Sequence, residues 1–398
     1  MLLGHPPVLL DIVEEHFDEL DFLWEHREAN VFTPDWRLRH LAEHEERAEA
    51  HLDGLRLAEL HGVDIARARL EGSGTFGATA AALVLWESGD PELRQMLLSK
   101  FREGEAEVRN GIRIAFRHLP IAELRVPLLC AMSDAREVAA AAVDVLTFHR
   151  IAVPPFDHLL ATDDVVVLKQ SLDAAGRARR LHADDFAAAM ERPESSVRAA
   201  ALQAAARAGM PNLVKRCRAA ATSGQDPAAL SFLGTLGDPR DVVVLEAAVR
   251  RPELATTAVA ALGAMGRVTA IPLLLELMAD STLGVVVTAA YKRITGAENV
   301  EGEKPFPPPP VAEGEDEEEA LPPDPAKAKA DWKRRESTMT SDVAWQSGIA
   351  VPDGALPPEF GDLPLESRRD LYLRLRANMG AAIPDLELEA LAIRQRAA

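Results

Sequence analysis

Seven histidines fall in the first 61 residues: His5, His16, His26, His40, His44, His51 and His61. His40 and His44 stand four residues apart, a spacing that puts two imidazoles on one helix face, where they can share a zinc ion. Glu43 and Glu45 lie beside them, but the H-E-x-x-H order that would add a general base is absent. His44-Glu45 is the one His-Glu step. The later histidines, His118, His149, His158 and His182, are none of them followed by glutamate. The competing reading is a solvated polar helix face. The chain is expected to hold no metal and no cofactor.

Two glycine turns raise the question of phosphate or acyl chemistry. G-S-G-T-F-G (72–77) lacks the strand before it that a nucleophile elbow needs. G-A-M-G-R (263–267) has an apolar helical segment on both sides and no Lys-Ser/Thr after it, so it reads as a hinge and not as a phosphate cradle. Basic clusters at 176–180, 215–218 and 249–251 sit near similar turns. They could align as a stripe for a nucleic acid, or they could complement helix C-termini. Stacking aromatics are scarce there, which argues for the second. Of five tryptophans, Trp86 reads as core. Trp24, Trp36, Trp332 and Trp345 lie towards the ends of the chain, where an amphipathic ring can anchor a protein contact.

The elements that would carry these residues are helical throughout. The G-A-M-G-R hinge recurs, mostly at intervals of about 28–34 residues, a period characteristic of stacked repeats: it is marked by Gly89, Gly176, Gly209, Gly237, Gly266 and Gly296, with Pro120 and Pro154 at comparable turns. Each unit is a helix, a turn and a second helix, about seven pairs between residues 72 and 297. Leu9–Arg27 and the Glu- and His-rich stretch to His61 are expected to form a cap over residues 1–71. Residues 298–330 are Pro- and Glu-rich. Nine acids and one lysine stand between 298 and 319, the composition of a disordered linker. Two amphipathic helices, in LESRRDLYLRLRANMG and PDLELEALAIRQRAA, are expected in a small module over 331–398.

Composition narrows the function classes. Net charge is −19 and aromatics make up 5%, so phosphate backbones and anionic lipid surfaces should repel the chain as a whole. Cys130 and Cys217 are far apart and offer neither a disulfide framework nor a cysteine-rich zinc site. The N-terminal stretch has no basic region of the signal-peptide kind, and no run is apolar enough to span a bilayer. A cytoplasmic location is expected.

The pattern in AVAALGAMGRVTAIPLLLELMAD resembles a short HEAT repeat, implying an all-α, HEAT-like right-handed solenoid. Over its length the chain resembles an uncharacterised bacterial family of HEAT-repeat-containing proteins. The resemblance is carried by residues 14–58, by R-I-T-G at 293–296 and by the tail around D-W-K-R-R. AHLDGLRLA (50–58), with Asp53 and Arg56, is its most specific part. Members of that family are often encoded near type VI secretion genes, beside spike and effector-adaptor genes. The resemblance therefore implies a non-enzymatic adaptor or scaffold that binds a protein, such as a secretion spike or effector component, and implies Asp53 and Arg56 as contacts beside the four tryptophans. The alternative is a nucleic-acid binder or metal-dependent enzyme in a groove of the HEAT scaffold.

Overall fold

The computed structural model describes residues 9–223, 226–303, 321–379 and 386–397. It is all-helical apart from one two-stranded sheet. The chain divides into two compact units, one of residues 1–185 with 385–398, the other of 186–384.

Unit 1 contains α1 (Leu10–Asn30), α2 (Leu38–Leu57), α3 (Leu60–Arg69), α4 (Gly74–Glu87), α5 (Pro91–Glu103), α6 (Ala106–His118), α7 (Ile121–Ala131), α8 (Arg136–Phe148) and α9 (Val165–Ala178). α10 (Ala183–Met190) spans the division. Unit 2 contains α11 (Ser195–Ala208), α12 (Leu213–Ser223), α13 (Pro227–Leu236), α14 (Val242–Val249), α15 (Pro252–Met265), α16 (Ile271–Leu277), α17 (Gly284–Thr295), α18 (Pro325–Arg335), strands β1 (Ala344–Gln346) and β2 (Ile349–Val351), and α19 (Leu365–Met379). The last helix, α20 (Ala392–Ala397), returns to unit 1.

Starts and stops follow local chemistry. Asp90 and Asp226 cap α5 and α13, each accepting a backbone N–H two residues on, with proline at the next position, where no intrahelical donor is missed. α15 ends at Gly266 with φ of 73°, the left-handed conformation that closes a helix at least cost when no Cβ is present. A hinge at G-A-M-G-R is thus what stands there. α4 and α8 are Ala-rich and buried on nearly every face, because alanine lets helix axes approach. Alternate helices pack on one another: α4 on α6 and α6 on α8 in unit 1, then α11 on α13, α13 on α15 and α15 on α17 in unit 2. At Gly111 of α6 a Cβ would stand 2.3 Å from the Thr75 carbonyl oxygen of α4, so that pair meets backbone to backbone.

Several expectations need correction. The second helix after Phe148 is reduced to a 3-10 turn, Asp157–Leu159. Pro154-Pro155 blocks an earlier start, and Asp164 already caps α9, leaving too few residues between. The expected linker does not extend to 330: Asp324 caps α18 from Pro325, and Glu301 bridges Pro323 as a pair of antiparallel residues. Residues 304–320 of the expected linker lie outside the described residues. The division of the chain falls at 185/186, inside the expected repeat array, and residues 331–398 are not one module, because 385–398 belong to unit 1. Of the two helices expected in the tail, the first is α19. The second shrinks to α20, with residues 386–391 outside any helix.

A groove in unit 1 occupied by the chain's own tail

α8 reads REVAAAAVDVLTF, and its single mid-helix charge, Asp144, is fully buried. Three arginines converge on it. Arg113 Nη1 donates to Oδ2 at 2.6 Å, Arg117 donates through Nε at 2.8 Å and Nη2 at 2.7 Å, and Arg177 Nη1 donates to Oδ1 at 2.8 Å. Arg113 and Arg117 are one turn apart on α6, and Arg177 lies in the last turn of α9, so helices on both sides of α8 supply the cations. Burial pushes the Asp144 carboxyl up, but the guanidiniums of Arg117, Arg113 and Arg177 outweigh it and hold it well below the usual range.

Three cations on one carboxylate leave an excess of positive charge; Asp173 of α9 offsets part of it, 3.3 Å from Arg177, and the tail offsets more. Arg177 Nε donates to Glu387 at 2.8 Å, and Arg117 Nη1 donates to Glu389 at 3.1 Å. Main-chain groups join in: Arg27 Nη2 donates to the Glu389 carbonyl at 2.9 Å, and the Ala392 N–H donates to Glu45 Oε2 at 2.7 Å. In the other direction Arg394 Nη2 donates to the His118 carbonyl at 2.9 Å. The tail, a turn followed by α20, is thus held at its side chains and along its backbone.

Beside the tail lies a cavity of about 410 Å3, walled by Leu20, Leu23, Trp24, Leu52 and Leu83 and rimmed by Glu45, Glu49 and Glu87. Ile393, on the tail, lines it while remaining 75% exposed. An apolar floor with a few polar groups at its edge is the usual form of a side-chain pocket.

Trp24 is a wall of this cavity, its ring buried 5.0 Å from that of His118 and under Arg27. Trp36 is half-buried between His26 and His44, at 5.5 and 5.2 Å. Asp53 and Arg56 lie on the exposed face of α2, where Arg56 pairs with Asp53, Glu49 and Glu87. Trp332 and Trp345 belong to unit 2. Trp345 is half-buried in β1 and donates from Nε1 to the Thr340 carbonyl, and Trp332 is half-buried in α18. His44 Nε2 bonds the Leu23 carbonyl at 2.7 Å, whereas His40 turns to Asp35, Arg37 and Arg39. The two imidazoles are therefore engaged by different neighbours. Among the described residues no three His, Cys, Asp or Glu side chains gather at a metal-holding spacing.

Of the groove's arginines, only Arg177 lies in one of the basic clusters seen in the sequence, and Arg113 and Arg117 lie in none. A sharper signal was present: Arg117, Arg177, Arg207 and Arg267 follow one another at intervals of 60, 30 and 60 residues, and all four are buried. A charge repeated in phase with the helix period, at positions that bury, needs a compensating partner.

The groove also carries a pH dependence. His118 is held well below the ordinary imidazole range, by burial first and then by the charges of Arg27, Arg117 and Arg394. Its Nδ1 is buried with no hydrogen-bond partner. Burial also lowers His44 and His149, against the pull of their bonds to the Leu23 and Phe116 carbonyls. In the unfolded chain these rings protonate near pH 6.5, while in the folded chain they stay neutral to lower pH. The unfolded state therefore binds more protons below that point, and stability falls with acid at up to about 1.4 kcal/mol per pH unit for each ring. Melting temperature is expected to drop between pH 7 and pH 5, and His118→Gln should flatten the slope. An unchanged slope in that variant would remove His118 from the account.

In comparison with known proteins, the chain matches no family model and no curated protein sequence.

Proposed function

We propose that the chain is a non-enzymatic protein-binding scaffold, a HEAT-like solenoid whose first unit captures an acidic segment of a partner. The observation that carries this reading is the tail itself. Residues 386–397, which are 210 positions away from Arg177 at the closest acidic contact, are held by two carboxylate–arginine pairs and by main-chain bonds. A groove that accepts E-L-E-A-L from its own chain has the chemistry to accept a similar segment from another protein. The tail then acts as an internal competitor that sets a threshold for binding.

The resemblance to HEAT-repeat proteins encoded beside secretion genes supports a cytoplasmic adaptor of a type VI secretion apparatus, with a spike or effector component as the partner. A nucleic-acid reading would need the groove arginines available to phosphates. Here Arg117 and Arg177 are committed to Asp144, Glu387 and Glu389.

The test is capture of spike and effector-adaptor proteins by three forms of the tagged chain: intact, Glu387→Lys/Glu389→Lys to release the tail, and Arg117→Ala/Arg177→Ala to remove the groove's charge. Release of the tail is expected to raise capture at least several-fold and loss of the arginines to abolish it. Equal capture by all three would sink the groove as the binding site.

A further inference from the structure

Unit 2 holds a second cavity, of about 530 Å3, bounded by the first turn of α12, the turn at Gly237–Pro239, the loop after β2 and α19. Its character is opposite to that of the first. Lys215, Arg218, Arg267 and Arg374 line it, against two carboxylates, Asp238 and Asp353. Arg218 is satisfied: it pairs with both oxygens of Asp241 and, at 3.1 Å, with Asp238. Arg267 and Arg374 are not satisfied to the same degree. Arg267 is 5% exposed, and its contacts are long, 3.3 Å to the Asp342 carbonyl and 3.5 Å to Asp353, whose side chain is 81% exposed. Arg374 donates from Nε to the Thr235 carbonyl at 2.7 Å and from Nη2 to the Ala264 carbonyl at 3.1 Å, and no carboxylate pairs with it among the described residues.

A buried guanidinium and a half-buried one that repel each other are costly unless an anion compensates both. Burial, with the like charges of Arg267 and Arg293 acting against the pull of Asp370, brings Arg374 down to about 10. Asn212, Leu213, Val214 and Lys215 open α12 along the same wall. The first N–H groups of a helix have no intrahelical acceptor, and they complement phosphate oxygens. Val351, Leu371 and Leu375 give the cavity an apolar side, and its volume suits a metabolite-sized molecule.

We infer that this cavity binds a small molecule carrying a phosphate or pyrophosphate group, with Arg267 and Arg374 as its principal cations and Asp353 as the counter-ion that the ligand displaces. The planar forks of two arginines match a multiply charged tetrahedral group better than a single carboxylate. Lys215, exposed at the first turn of α12, adds a point charge at the mouth.

Titration calorimetry of the full chain against inorganic pyrophosphate, inorganic phosphate and citrate tests this. Pyrophosphate is expected to bind tightest, with an affinity that falls as salt rises, and to raise the melting temperature by a few degrees. Arg267→Gln and Lys215→Gln should each weaken it about 10-fold, and Asp353→Asn should tighten it several-fold. The last two changes are at exposed positions and leave a folded protein to measure even if Arg267→Gln does not. No binding of pyrophosphate at millimolar concentration would overturn the inference. So would binding that Lys215→Gln and Asp353→Asn leave unchanged, which would mark an adventitious ion only. Citrate binding more tightly than pyrophosphate would overturn the phosphate assignment.

Discussion

Asp144→Ala is expected to destabilise unit 1 by about 3–5 kcal/mol, the range for removing one partner of a buried ion cluster. The energetics of the cluster are asymmetric. With Asp144 present, three guanidiniums share one fully buried carboxylate, and the tail adds Glu387 and Glu389. Without it, Arg113 and the inner faces of Arg117 and Arg177 keep their charge but lose the acceptor, and the surrounding alanines and valines of α8 cannot replace it. For a unit of this size the loss corresponds to a melting temperature about 6–20 °C lower. Asp144→Asn, which keeps an acceptor oxygen, should fall between the two. Arg113→Ala should cost less in the Asp144→Ala background than alone, because the two side chains interact directly. Thermal unfolding of the four proteins decides it. A loss below about 1 kcal/mol for Asp144→Ala would show that the arginines find other compensation, and the cluster would cease to be a keystone of unit 1.

The second large effect concerns the tail. In a chain ending before residue 386, a synthetic peptide of residues 386–398 is expected to bind at micromolar concentration and to restore the lost melting temperature. In the intact chain the same peptide should bind about a hundred times more weakly. A tethered segment competes at an effective concentration of millimolar order, so a trans affinity of about 10 μM leaves the groove closed roughly 99% of the time. Glu387→Lys/Glu389→Lys in the peptide should abolish binding, since both new charges would face arginines. Fluorescence anisotropy of the labelled peptide measures all three. Equal affinity for the truncated and intact chains would mean that the peptide binds elsewhere than under the tail.

Much of the helical framework was legible, and the reasons are local. Caps at Asp90 and Asp226, prolines at first-turn positions and the glycine at 266 are decided within a few residues, so the sequence shows them directly. The β-hairpin was missed although its signal is as local. In V-A-W-Q-S-G-I-A-V, Ser347 and Gly348 both take positive φ, 51° and 77°, as a tight two-residue hairpin turn demands. The helical reading of the surroundings hid the alternation. The groove was illegible for a different reason. Asp144 looks like an interruption in an apolar helix until Arg113, Arg117 and Arg177 are seen to meet it, and Glu387 and Glu389 look like a helix surface. Helix propensity favours a helix through L-E-L-E-A-L, but two carboxylate–arginine pairs and the Glu389 carbonyl's bond to Arg27 hold it in a non-helical form, a tertiary override of local preference. Trp24 and Trp36 stand out by residue type alone, and the structure puts one in the cavity wall and the other at tilted contacts with two histidines.

The wide separation between the groove and the segment that fills it has a consequence for how the protein is made. Arg177 leaves the ribosome 210 residues before Glu387, which at about 5–20 residues per second is roughly 10–40 s. For that interval α6, α8 and α9 can assemble around Asp144, yet the carboxylates that complete the charge balance do not exist. A nascent chain therefore exposes its groove before it can close it, and any acidic segment nearby at that moment, including the finished tail of a neighbouring copy on the same message, can enter first. Slower translation over residues 180–386 lengthens the interval in which the groove stands open.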